Sequence, residues 1–117
     1  MLKVVNGKRS GFIGKDVIYI GRANRYHCLS ESVLRNQFVI GSDGNRDEVI
    51  EKYRRWLWLQ VKAGLNGQNH QVFQEIVIIS QLVKASAEIK LACYCVPEKC
   101  HGDVIKRCIE WMIESGI

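Results

Sequence analysis

Apolar positions along this chain follow two different periods, and the switches between them mark out its elements. Spacing by two belongs to one face of a strand, and spacing by three and four to one face of a helix. The first period predicts strands at residues 2–5, ended by the turn pair Asn6-Gly7, and at 16–20, where Val17, Ile18, Tyr19 and Ile20 run together. It recurs at 88–95, where Ile89, Leu91, Cys93 and Cys95 alternate with Lys90, Ala92, Tyr94 and Val96. Much of both series is apolar there, which is the mark of a strand covered on both faces and central in a parallel sheet. Pro97 ends it, having no N–H for a ladder.

The second period predicts a helix over 47–63, with Val49, Ile50, Tyr53, Trp56, Leu57 and Val61 on one face and Asn45 or Asp47 as its cap. Lys52, Arg54 and Arg55 lie off that face together with Trp58. A second helix is predicted over 71–87; its Val77-Ile78-Ile79 run is β-branched, but length and flanking pattern favour helix. A last helix starts at Gly102 or Asp103, carries Val104, Ile105, Cys108, Ile109 and Met112 inward, and has Asp103 as cap or first-turn acid. Ser30–Leu34 reads as a short helix capped by Ser30. Residues 8–15, 41–45 and 64–69 read as loops. Strands alternating with helices predict one α/β domain over 1–117, a mainly parallel sheet of few strands with flanking helices in a Rossmann-like layout.

Composition narrows the partners. The chain of 117 residues is 47% hydrophobic and 25% charged, an ordinary balance for a chain that buries its own core. No apolar run approaches the roughly eighteen residues a membrane span needs, and the N-terminal residues lack the apolar stretch of a secretory signal. A cytoplasmic setting with five reduced cysteines and no membrane partner is therefore expected. The net charge of +5 sits wholly in residues 1–60, which hold eleven Lys and Arg against six Asp and Glu. Such a half attracts phosphate, whether on a small ligand or on a nucleic acid.

Candidate chemistry collects at the ends of two predicted strands. After 88–95 come Cys100, His101 and Gly102, at the mouth between a strand's C-terminal end and a helix start, where open α/β sheets bind ligands and where free N–H groups favour an anion. Cys100 is a candidate nucleophile, His101 a candidate general acid–base oriented by Asp103, and Gly102 a point of close backbone approach. Cys93, Cys95 and Cys108 read as core residues. After 16–20 come Gly21, Arg22, Asn24, Arg25, Tyr26 and His27, in which Arg22 suits a bidentate grip on phosphate and Tyr26 suits stacking on a base. A solvated basic loop is the competing reading. Asn36 and Gln37 carry amides suited to a polar ligand. Cys93, Cys95, Cys100 and His101 also form a possible zinc set, although structural zinc sites favour C-x2-4-C pairs on turns over C-x-C on a strand.

Four motifs in order, Tyr19-Ile20-Gly21-Arg22, Leu34-Arg35-Asn36-Gln37-Phe38, Tyr53-Arg54-Arg55-Trp56-Leu57 and the run Cys93 to Asp103, make the chain resemble a family of small bacterial and phage proteins known as domain of unknown function 4326. The family's second motif usually reads N-P-F, and Gln37 stands here in place of the proline. The closing motif also resembles, more weakly, that of domain of unknown function 488. The resemblance implies an α/β fold and no particular activity; its motifs fall on the two strand mouths and the Asn36 loop. The expected function is binding of a nucleotide or phosphorylated nucleoside, with Cys/His-dependent chemistry as an option. The alternatives are a nucleic-acid- or protein-binding module using the basic half, and a zinc protein. No cofactor is identified by the residues. Trp111, Ile113 and Ile117 leave surplus apolar surface that suits a homodimer.

Overall fold

In the computed structural model, which describes residues 2–68, 70–85 and 88–116, the strand with two apolar faces is the middle one. Strand β3 (Ile89–Cys93) lies between β1 (Leu2–Asn6) and β2 (Val17–Tyr19), and both neighbours run parallel to it. Val4 and Ile18 both sit opposite Leu91. Side chains in one cross-strand row share a face, so Leu2, Val4, Ile18, Ile89, Leu91 and Cys93 form one apolar surface.

The helices are α1 (Gly7–Ser10), α2 (Arg46–Leu65), α3 (Gln71–Ala85) and α4 (His101–Glu114). The three long ones close a single core on that surface, in which Tyr53, Leu57, Ile76, Ile79, Ile105 and Ile109 are fully buried. Truncating one such Leu or Ile to Ala costs about 2–5 kcal/mol. Helix α2 starts where Asn45 accepts the Glu48 N–H and Glu48 reaches back to the Asn45 N–H, which satisfies two donors the helix cannot pair internally. Its buried residues, Val49, Tyr53, Leu57 and Val61, recur every four positions. The β-branched run of α3 is helical, as its flanking pattern predicts.

The opposite face is closed differently. Tyr19 and Tyr94 meet Phe12 there, with ring centroids 5.7 and 4.8 Å away, and His27 packs on Phe12 at 4.8 Å. At its other end Glu88 pairs with Lys3 and Lys90, each at 3.8 Å and each well exposed.

Four local expectations change. Asn6-Gly7 opens the single turn of α1, because the Asn6 side chain caps the Lys8 N–H. Ser30–Leu34 is not a helix: Ser32 Oγ accepts the Leu34 N–H at 3.1 Å, and the Ser32 carbonyl accepts the Arg35 N–H at 3.2 Å. Short hydroxyl side chains compete with helical bonding in this way. Strand β3 ends at Cys93, two residues short of the apolar alternation. Helix α4 starts at His101 with Cys100 as its cap, and Asp103 is the acid of its first turn.

Trp58, expected on an open basic face, packs edge-on against Trp111 at 5.1 Å. Arg54 and Arg55 of that face both bond Glu51, whose carboxyl they hold down at about 2, Arg54 foremost. Asn69 of the predicted loop, Ser86 and Ala87 of the predicted second helix, and Ile117 of the apolar C-terminal surface lie outside the described residues. Among the described residues no helix is long and apolar enough to cross a membrane.

Candidate functional site

A cavity of about 350 Å³ opens where the sequence places the two strand mouths, at the C-terminal ends of β2 and β3 beside the start of α4. That is the edge at which parallel sheets hold ligands. Gly21, Arg22, Asn36, Cys100 and His101 all line it. Three segments distant in sequence therefore converge as expected.

The remaining expected site residues have other positions. Asn24 forms a bridge with Leu29, and its Oδ1 accepts the His27 N–H at 3.1 Å. Arg25 and Tyr26 ride on the resulting turn in solvent, Tyr26 at 89% exposure. Gln37 is exposed and does not line the cavity. Gly102 is buried, and a Cβ on it would come within 2.8 Å of Val4 and 2.9 Å of Ile20. Its missing side chain lets α4 approach the sheet and does not serve a ligand.

Arg22 is a clamp. Its Nε and Nη2 donate to the Asn36 carbonyl at 3.1 and 2.9 Å, and Nη2 also donates to the Phe38 carbonyl at 3.1 Å. Asn36 folds back as well, its Oδ1 accepting the Phe38 N–H at 2.9 Å. These bonds hold the segment from Phe38 to Ile40, which with Val49 and Ile50 forms the apolar wall of the cavity. The sequence reading of Arg22 as a free phosphate grip is thus only partly kept: two of its three guanidinium nitrogens are bonded to the backbone.

Cys100 and His101 are buried, at 2% and 8% exposure. His101 Nε2 lies 2.7 Å from the Ile20 carbonyl. A carbonyl only accepts, so Nε2 carries the proton and Nδ1 is left as the acceptor. Nδ1 faces Cys100 Sγ at 3.4 Å. Burial lowers the His101 pKa, which keeps the ring neutral at physiological pH. Asp103 was expected to orient this ring. It instead reaches back to the Cys100 N–H at 3.4 Å and completes the cap of α4. The Gly102 N–H goes to Cys100 Sγ at 3.4 Å, so the helix start is largely bonded to itself and not held open for an anion.

The residues that sequence reasoning undervalued are Cys93 and Cys95. Both line the cavity with Cys100, and each of the three thiols stands close enough to influence the titration of the others. Bonds from Cys100 and then Cys93, with Arg46 beside it, hold the Cys95 thiol well below its ordinary range. The bonds to Cys93 and Cys95, together with burial, push Cys100 up. Cys93 and Cys108 belong to the buried core as expected, with Cys95 packed against it, and burial raises the Cys108 thiol to about 12. The period-two spacing of Cys93 and Cys95 was the available signal, since it predicts both sulfurs on one side of the strand. Among the described residues no group of three or more His, Cys, Asp or Glu is arranged to hold a metal ion.

These features define a small α/β protein with a cysteine-lined cavity at the C-terminal edge of a parallel sheet. The chain belongs to the family described as Domain of unknown function (DUF4326), whose model matches residues 5–111. Comparison with curated proteins and with solved structures finds no match.

Proposed function

We propose that the chain binds a nucleotide or phosphorylated nucleoside in this cavity, with Cys100 and His101 at its reactive edge. The observation that carries the reading is the mixed lining of the cavity. Phe38, Val39, Ile40, Val49 and Ile50 supply apolar surface that suits a base. Arg22 and Lys99 supply cations, and among the described residues no carboxylate lines the cavity. Lys99 pairs with Asp47 at 3.3 Å, but both are about three-quarters exposed, so the pair is weak and a ligand phosphate displaces it.

Calorimetric titration with nucleoside mono- and diphosphates, the parent nucleosides and inorganic phosphate tests this. Nucleoside phosphates are expected to bind best, and Phe38→Ala and Lys99→Ala each to weaken them about tenfold, the range of a lost charge-assisted bond or stacking contact. Binding of none of these ligands would overturn the reading.

A further inference from the structure

The cavity holds more sulfur than an anion site needs. Cys93, Cys95 and Cys100 meet there from a strand, the turn after it and a helix cap, and only Cys95 is not fully buried. Cys95 also has a cation nearby: Arg46 donates through Nη1 to the Lys99 carbonyl at 2.9 Å, and its charge favours the Cys95 thiolate. Cys100, on the same cavity wall, has its Sγ 3.4 Å from His101 Nδ1, an acceptor for its proton. We infer that Cys95 and Cys100 form a redox-active dithiol, with Cys95 the attacking sulfur and Cys100 the resolving one, that exchanges with small-molecule disulfides entering the cavity.

The exchange balances as follows. The Cys95 thiolate attacks one sulfur of R–S–S–R, forming a mixed disulfide and expelling R–S⁻. Cys100 then passes its S–H proton to His101 Nδ1, 3.4 Å away. The Cys100 thiolate attacks Cys95 Sγ, closes the Cys95–Cys100 disulfide and expels the second R–S⁻, which takes the proton from His101. The protein loses two electrons and the small disulfide gains them. Cys93 takes no part in the exchange, since it is buried at 2% exposure while Cys95 is not.

This inference uses the same cavity as the proposed ligand but not its charge. The reduced full-length protein is treated with the neutral probe bis(2-hydroxyethyl) disulfide and digested with trypsin, which cuts after Lys99 and so separates peptide 91–99 from peptide 100–106. The expected product links these peptides through Cys95 and Cys100. Cys100→Ser, which keeps a good helix cap, stops at a mixed disulfide on Cys95, and Cys95→Ser gives neither product. At pH 6 iodoacetamide modifies Cys95 at least about tenfold faster than exposed Cys28 in the same chain, and Arg46→Ala moves the midpoint of that pH profile upward. A Cys93–Cys100 link, faster modification at Cys28, or equal reactivity of wild type and Cys95→Ser overturns the inference, whether or not nucleotides bind.

Discussion

The two strand mouths differ in a way that residue type alone conceals. The mouth after β2 is rich in polar groups, yet from Asn24 to Tyr26 they bond one another or face solvent. The mouth after β3 offers only Cys100 and His101 as reactive groups in sequence, with Cys93 and Cys95 reading as core, yet it brings three thiols and a histidine to the cavity. A dense polar run after a strand marks a place where the chain can turn; a site also needs side chains aimed back over the sheet edge. At β3 that aim comes from alternation for Cys93, and the turn after the strand brings Cys95 to the same cavity as the helix cap Cys100.

The largest expected effect that separates the mouths is at Gly102. Gly102→Ala presses a methyl on Val4 and Ile20 and should cost about 1–3 kcal/mol in urea denaturation, the range of overpacking in a tight core. A neutral result would mean that α4 sits less closely on the sheet than described.

The next effect is a pH dependence. The folded-state pKa of His101 lies below the unfolded value of 6.5 because of burial. The unfolded chain therefore binds more protons, so this group's contribution is complete above about pH 6.5 and is lost as pH falls toward the folded value. His101→Gln should flatten that limb of a stability–pH curve; an unchanged slope would show that the ring is not held neutral.

Smaller still is Arg22→Ala. It removes three bonds to exposed carbonyls and is expected to cost about 1 kcal/mol while increasing amide exchange from 36 to 40. Smallest is Tyr26→Ala, expected within about 0.5 kcal/mol of wild type and without effect on ligand affinity. A loss of affinity there would return the β2 mouth to the site.

The fold was largely legible in the sequence, because each element announces itself through a period: alternation in β3, four-residue steps in α2 and α4. The site was legible in position and less so in roles. Arg22, Asn36, Cys100 and His101 lie where the two strand mouths and the Asn36 loop were expected to meet. Their partners were hidden, since backbone carbonyls decide them: Ile20 fixes the His101 tautomer, and Asn36 and Phe38 occupy Arg22. No side-chain pattern advertises a carbonyl. Cys93 and Cys95 were assigned to the core because a buried thiol and a clustered one look alike in sequence, and only the third sulfur, from the helix cap, tells them apart.

The clamp on the cavity wall reads no side chain. Arg22 grips the Asn36 and Phe38 carbonyls, groups that every residue type presents alike, while the wall it holds is built from the side chains of Phe38, Val39 and Ile40. Anchor and lining are thus separate: the lining can be rewritten at 38, 39 and 40 without loosening the Arg22 grip. In engineering terms the segment from 38 to 40 is an interchangeable panel, and the selectivity of the cavity can be retuned there while the frame stays the same.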